Sequence, residues 1–163
     1  MMVLSMVPAT AFAAKDAGTP PTYNSATGCY EISTPAQLLY LAGKWKDGAP
    51  RDGHYVLTAD IDMTGVKGFK PIASKKDQGF TGTFDGQFHS IKGLRVEYEK
   101  KYAGLFGYVG NQDDQAYIKN VALLDCYVTG QQNVGALAGV NYGTITDCVV
   151  TGEVKCLDLS NSH

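Results

Sequence analysis

The sequence contains the hexapeptide Asp125-Cys126-Tyr127-Val128-Thr129-Gly130, and a copy that differs at one position follows as Asp147-Cys148-Val149-Val150-Thr151-Gly152. Outward from this pair, isoleucines recur at intervals of 27 residues, at Ile91, Ile118 and Ile145. A period of about 20–50 residues is typical of architectures that stack one structural repeat on the next. The repeats therefore predict a stacked fold.

Each repeat also contains short alternating apolar runs that end in glycine. Alternation places the apolar side chains on one face of a strand, and glycine supplies the turns of a coil. Because no helical periodicity separates the repeats, we expect parallel rungs of an all-β solenoid. The predicted inward ladders are Ile91/Ile118/Ile145, Leu94/Cys126/Cys148, Val96/Val128/Val150 and Leu105/Leu137. The alternative is an antiparallel sandwich whose sequence similarity is coincidental.

The tetrapeptide Gly104-Leu105-Phe106-Gly107 resembles the glycine-leucine-hydrophobic-glycine signature of GLUG-motif repeats, and Ala136-Leu137-Ala138-Gly139 is a copy with alanine at the first glycine. The stretch from Gly82 to Leu94 is similar to the segment that commonly precedes such repeats. The resemblance covers roughly Cys29 to Gly152 and implies a right-handed, single-stranded parallel β-helix. Members are secreted or surface-anchored bacterial proteins, including adhesin-like proteins and the non-catalytic region of IgA-cleaving metallopeptidases. In that family the motif is structural.

Three segments are expected along the chain. Residues 1–13 resemble a secretory signal, because an apolar run is followed by Ala11-Phe12-Ala13, a small-x-small cleavage pattern; no lysine or arginine precedes the run. The alternative is an ordinary apolar tail. Residues 14–28 are expected to be a disordered spacer. The β-helix is expected over 29–163 and truncated at its C-terminal end, since the flanking glycines disappear after Gly152.

A short helix is predicted near the start of the solenoid. Thr34 can cap it, Pro35 suits the first helical position, and Gln37 stands where a capping-box partner stands. Its apolar face would contain Leu38, Leu39, Leu41, Ala42 and Trp45. Since a solenoid needs its open end covered, we interpret this helix as the N-terminal cap.

Candidate catalytic and metal-binding residues are few, and we expect neither a cofactor nor a metal. A general acid–base site could be assembled from Asp85, His89, Lys92 and Arg95, but the resemblance implies that their segment is structural. The acidic loop 110–115 could hold calcium through Asp113 and Asp114; an ordinary acidic loop is the alternative. Cys126 and Cys148 are expected to stack as reduced ladder residues, because registered parallel side chains disfavour disulfide geometry.

Tyrosine is abundant at turns and at outward-facing positions. Such a stripe of aromatic rings could stack on sugars or on a protein partner; the alternative is that tyrosine simply suits half-exposed strands. The candidate binding residues are Tyr98, Tyr102, Tyr108, Tyr117, Tyr127 and Tyr142.

The net charge of −2 and the lack of a basic stripe argue against nucleic-acid binding. The apolar run near residue 1 is shorter than the ~20 residues of a membrane span. We therefore expect a non-catalytic, secreted or cell-surface module of a longer bacterial protein, which serves as a stalk, scaffold or binding segment for a glycan or host protein. The alternatives are a carbohydrate-active lyase or hydrolase and an accessory region of a secreted peptidase. An enzyme on this fold needs converging carboxylates or a metal-plus-base set on one face of adjacent coils, and the aligned repeats contain no acidic ladder.

Overall fold

The computed structural model describes residues 18–43 and 49–157. Apart from the first strand, the strands of these residues pair in parallel and stack into a β-helix with one short helix, as predicted. In chain order the elements are β1 (Thr22–Asn24), β2 (Cys29–Ile32), α1 (Pro35–Gly43), β3 (His54–Leu57), β4 (Ile61–Asp62), a 3-10 turn (Lys76–Gln78), β5 (Thr83–Asp85), β6 (Ser90–Lys92), β7 (Arg95–Ala103), β8 (Phe106–Val109), β9 (Tyr117–Lys119), β10 (Ala122–Val134), β11 (Ala138–Asn141), β12 (Thr144–Thr146) and β13 (Val149–Cys156).

Three sheets run along the solenoid, and the chain visits them in turn. Sheet 1 has the order β1-β2-β3-β5-β9-β12, and only β1 is antiparallel to its neighbour. Sheet 2 has the order β13-β10-β6-β4, with β7 also paired to β10. Sheet 3 pairs β8 with β11, and single bridges from Ile72 and Phe80 extend it by one coil. The apolar core lies between these sheets.

In sheet 1 one residue from each coil stacks on the next. This ladder consists of Tyr30, Tyr55, Phe84, Ile118 and Ile145. The predicted stacking of Ile118 on Ile145 is confirmed, but the placement of Ile91 in the same ladder is wrong. Ile91 lies in sheet 2, because the coil from Phe84 to Ile118 is longer than the 27-residue coil that follows it.

In sheet 2 the register of the last coil differs from the prediction. Val96 does pair with Val128, but Val128 pairs with Val154 and not with Val150. Val150 instead pairs with Leu123, which stacks on Ile91. The two hexapeptides therefore occupy different positions in their coils.

A β-bulge explains why the two similar hexapeptides do not pair with each other. The register shifts between Leu123 and Cys126, and Asp125 adopts a left-handed φ of 52° there. Asp147 has the same φ but lies at the corner between β12 and β13. Cys126 consequently pairs with Gly152, so the prediction that Cys126 stacks on Cys148 is wrong, although both thiols are free.

Helix α1 forms as predicted. The Gln37 N–H donates to Thr34 Oγ1 at 3.2 Å, and the Ser33 N–H donates to Gln37 Oε1 at 2.8 Å. These bonds satisfy amides that the first turn leaves without helical partners. Leu38 and Leu41 are fully buried in the same cluster as Ile32, so α1 closes the core at its N-terminal end. Trp45 lies outside the described residues.

The prediction of a disordered spacer over residues 14–28 is wrong for residues 18–28, which the structure describes. Residues 18–28 pack on the solenoid: Thr19 N–H donates to Ala36 O at 3.1 Å, and β1 pairs with β2. Residues 1–17 and 158–163, which include the predicted signal and the chain end, lie outside the described residues. Across the described ranges, no helix has the length and apolarity needed to cross a membrane.

Candidate functional site: a tyrosine cleft on sheet 3

The GLUG-like segments form the strands of sheet 3. Phe106 N–H donates to Leu137 O at 2.8 Å, and Leu105 N–H donates to Ala136 O at 2.9 Å, so the two motifs lie in register. A Cβ on Gly104 would stand 2.7 Å from Gly135 O, which means that this glycine permits close backbone approach. The eight residues placed by these contacts are Gly104, Leu105, Phe106, Gly107, Ala136, Leu137, Ala138 and Gly139.

The same register brings three of the six candidate tyrosines together. Tyr108 lies on β8, and Tyr142 follows β11 one coil later, where its N–H donates to Val109 O at 2.8 Å. The Tyr108 and Tyr142 rings stack with centroids 5.7 Å apart and planes 28° apart. Tyr102 meets the edge of this pair at 5.5 Å and 89°. The rings form a short aromatic ladder on the outside of the solenoid.

The two stacked tyrosines differ in exposure. Tyr108 is 5% exposed, whereas Tyr142 is 49% exposed. Burial, followed by a hydrogen bond with the Tyr142 side chain, raises the pKa of Tyr108 to about 12. Tyr108 is therefore a neutral phenol at physiological pH and supports the ring above it.

A cleft of about 240 Å³ opens beside this pair. We call it the tyrosine cleft; it is lined by Lys76, Asp77, Tyr108, Asn111, Gln112, Asp113 and Tyr142. Gly79 lets the 3-10 turn lie against Tyr108, because a Cβ at Gly79 would be 2.8 Å from Gly110 O. The cleft thus combines residues from three successive coils.

Asn111 gives the acidic loop a defined shape. Its Oδ1 accepts hydrogen bonds from the Asp113 and Asp114 N–H groups at 2.8 and 2.7 Å, and its Nδ2 donates to Asp114 Oδ2 at 3.1 Å. Within the described part of the chain, the side chains of Gln112 and Asp113 make no hydrogen bond and remain available. Asp114, which the sequence paired with Asp113 as a candidate calcium ligand, is instead used to close the loop. No group of three or more histidine, cysteine, aspartate or glutamate residues in the described ranges could hold a metal ion.

The other three candidate tyrosines lie elsewhere. Tyr127 lies between two cations, with Arg95 Cζ 4.3 Å and Lys155 Nζ 5.2 Å from its ring centroid. Tyr98 packs partly buried against the core, and Tyr117 is 47% exposed on sheet 1. The predicted stripe is therefore divided into one cluster and three separate positions.

The residues considered for an acid–base site are also separated. Asp85 is paired with Lys119 at 3.2 Å, His89 approaches Asp60 at 3.4 Å, and Arg95 pairs with Glu97 at 2.8 Å. Burial opposes ionisation of Asp85, but hydrogen bonds from Asn120 and Gln87 and the nearby Lys119 outweigh it and lower its pKa. The Asp85 and His89 contacts tie neighbouring coils together, the Arg95–Glu97 pair lies within β7, and the groups do not converge on one point.

Sequence reasoning missed Lys76, Asp77 and Gln112 as cleft residues. They lie in loops whose composition carries no periodic signal. The coil register could have revealed them, because it places the loop before Phe80 beside the end of β8.

Comparison with known proteins agrees with this geometry. Residues 130–155 match the family model described as the GLUG motif. This stretch of the chain therefore carries a GLUG motif. The match contains the second copy, Ala136 to Gly139, and continues into β13.

Two relatives and one solved structure resemble this chain. Halomucin from Haloquadratum walsbyi is 34% identical over 77% of this chain and 1% of its own length. A "Putative Gly-rich membrane protein" from Evansella cellulosilytica is 33% identical over 74% of this chain and 14% of its own length. The crystal structure of a "putative immunoglobulin A1 protease" from Bacteroides ovatus superposes with a TM-score of 0.62 at 22% identity, over 85% of this chain and 40% of that one. The chain spans a minor part of each protein, and the last likeness shows the fold alone.

Proposed function

We propose that this chain is a non-catalytic β-helix module of a secreted or cell-surface protein, in which the solenoid acts as a scaffold and the tyrosine cleft contacts an extracellular ligand. The observation that carries the proposal is that the GLUG strands use one set of residues to pack the coils and present a different set to solvent. The leucines and glycines of the GLUG strands are used in contacts between coils. Aromatic and polar side chains gather where the same strands reach solvent.

The relatives support an extracellular setting. The name of one describes a membrane protein, and this chain matches a small part of it. A β-helix segment within a much longer polypeptide suits a stalk or scaffold, because each coil needs only its neighbours to bury its core. Residues 1–13 are the proposed export signal.

A second candidate is an accessory region of a larger secreted peptidase. The fold neighbour named as an immunoglobulin A1 protease favours it, since this chain covers 40% of that solved chain. In that case the module would position a catalytic region located elsewhere in the polypeptide. The tyrosine cleft would still be a binding surface.

Export is tested in the source organism with an antibody against the solenoid. External protease should destroy the antigen on intact cells, or the antigen should appear in the medium, while a cytosolic enzyme stays protected. Deletion of residues 1–13 should retain the chain inside, and the exported form should begin at Ala14 or within two residues of it. A full-length chain that is protected until the cells are lysed would refute the proposal.

The non-catalytic role is tested by incubating the full chain with pectic and host glycans in the presence of calcium. No new reducing ends or unsaturated products should accumulate above the buffer control. Turnover that disappears in an Asp85→Asn or His89→Ala variant would establish an enzyme instead.

A further inference from the structure

We propose that the tyrosine cleft is a saccharide site that holds one ring of a neutral glycan against Tyr142 and binds its hydroxyls through Gln112 and Asp113. The inference rests on the proposed function and names its ligand class.

The aromatic part of the site is organised before any ligand binds. One face of Tyr142 stacks on Tyr108, Tyr102 contacts Tyr108 edge to face, and Tyr142 stays 49% exposed. A ring held in this way loses little side-chain entropy on binding. Aromatic rings offer an apolar face with a polar hydroxyl at the edge, which complements the C–H face and hydroxyl rim of a pyranose.

The polar part of the site matches hydroxyl groups. A sugar hydroxyl both donates and accepts, and the cleft provides Gln112 as donor and acceptor, Asp113 as acceptor and Lys76 as donor. Asn111 fixes the loop backbone through bonds to Asp113 and Asp114, and leaves the Gln112 and Asp113 side chains unused. Preformed positions of this kind favour orientation-specific hydrogen bonds.

Charge and size restrict the ligand further. The cleft contains one cation, Lys76, and two carboxylates, Asp77 and Asp113, so its net charge disfavours a uronate or sulfated glycan. Its volume of about 240 Å³ lies below the ~300–1,000 Å³ of pockets for drug-sized ligands. One sugar ring would occupy the cleft while the rest of the glycan stays in solvent. A docking surface for a folded protein would need more apolar area than Tyr142 supplies.

The experiment uses the full chain and a panel of hexasaccharides: cellohexaose, xylohexaose, mannohexaose and chitohexaose, with oligogalacturonate as the anionic member. Binding is followed by saturation-transfer NMR and calorimetry. At least one neutral member should bind with a Kd between about 10 μM and 1 mM, as a single-ring contact would give. Tyr142→Ala should weaken it by about tenfold or more, because both the stacking contact and the area buried against the ring are lost.

Tyr117→Ala is the matched control, because Tyr117 is 47% and Tyr142 49% exposed but Tyr117 lies on sheet 1. It should leave Kd unchanged, and Tyr142→Phe should retain most of the affinity. Asp113→Asn should weaken binding without touching the rings, which keeps the test valid if Tyr142→Ala misfolds.

The saccharide site is refuted if no neutral glycan binds at about 10 mM, if only oligogalacturonate or a protein ligand binds, or if Tyr117→Ala weakens binding as much as Tyr142→Ala. An exported chain that binds no glycan would refute this inference and leave the proposed location intact. A glycan-binding chain that remains in the cytoplasm would refute the proposed location and leave the saccharide site intact.

Discussion

The inner coils and the last described coil use equivalent ladder positions with different results. In sheet 2 the ladder runs through Ile61, Ile91, Leu123 and Val150, and the exposed fractions are 1%, 0%, 0% and 42%. Val128 is likewise fully buried, whereas its partner Val154 is 46% exposed. The residues are all aliphatic, so burial here depends on whether a neighbour covers each side of the coil and not on hydrophobicity alone.

At the N-terminal end of the solenoid, the peripheral coil is covered and its ladder residue is buried. Ile32 lies in the first coil, as peripheral as Val150 at the opposite end, but it is fully buried because Leu38 and Leu41 of α1 join its cluster. Among the described residues, β13 has a partner strand on one side only. The comparison predicts that the same change should have unequal effects at the two kinds of coil.

The largest contrast is expected between Leu123→Ala and Val150→Ala. Leu123 is enclosed by coils on both sides, so its truncation should lower the free energy of unfolding by about 2–5 kcal/mol. Val150 is already 42% exposed, and its truncation should cost less than about 1 kcal/mol. Urea unfolding followed by far-ultraviolet circular dichroism measures both. Equal costs would show that the last coil is covered in solution.

Glycine substitutions sharpen the same contrast through the backbone. A Cβ at Gly107 would stand 2.6 Å from Ser74 Cα and 2.9 Å from Tyr102 O, inside the solenoid. Gly107→Ala should therefore cost about 1–3 kcal/mol by overpacking. At Gly152 the φ of 133° and the contact with Cys126 O also exclude a side chain, but among the described residues β13 has a partner strand on one side only.

Gly152→Ala should accordingly lower the unfolding midpoint less than Gly107→Ala does and accelerate hydrogen exchange first in β13. If Gly152→Ala lowered the global midpoint as much as Gly107→Ala, the last coil would be part of the cooperative unit and the contrast would fail.

A smaller effect is expected from uncapping α1. Thr34→Ala removes the acceptor for the Gln37 N–H and should cost about 1 kcal/mol. Thr58→Ala is the control, because Thr58 is exposed and its side chain makes no hydrogen bond in the described part of the chain. Thermal unfolding of both variants provides the measurement. A Thr34 variant as stable as the Thr58 variant would show that the cap bond does not stabilise the covered end.

The smallest perturbation is chemical labelling of the cysteines. Cys126 is buried and Cys156 is exposed on the last coil. Burial raises the pKa of the Cys126 thiol, so little thiolate is present near neutral pH. Iodoacetamide should modify Cys156 first and Cys126 only after denaturation, as read by peptide mass spectrometry. Equal labelling rates in the folded chain would contradict the buried inner ladder.

Local features were predictable because their causes are local. Thr34, Pro35 and Gln37 begin a helix through side-chain bonds within one turn, and α1 starts at Pro35 as expected. Alternating apolar residues and glycine turns indicated parallel rungs, and the predicted ladder of Leu105 and Leu137 placed the two GLUG strands in register. A single sequence predicts such features because they depend on residues that are neighbours along the chain.

Register and the tyrosine cleft were decided only by the tertiary structure. Coils of unequal length moved Ile91 out of the ladder of Ile118, and the bulge at Asp125 separated Cys126 from Cys148. Stacking of Tyr142 on Tyr108 and the approach of the 3-10 turn depend on how three coils are aligned. The alignment of the coils is set by contacts between them, and these contacts cannot be predicted from residue spacing along the chain. The sequence by itself determined that this protein stacks coils; packing between those coils determined which side chains meet.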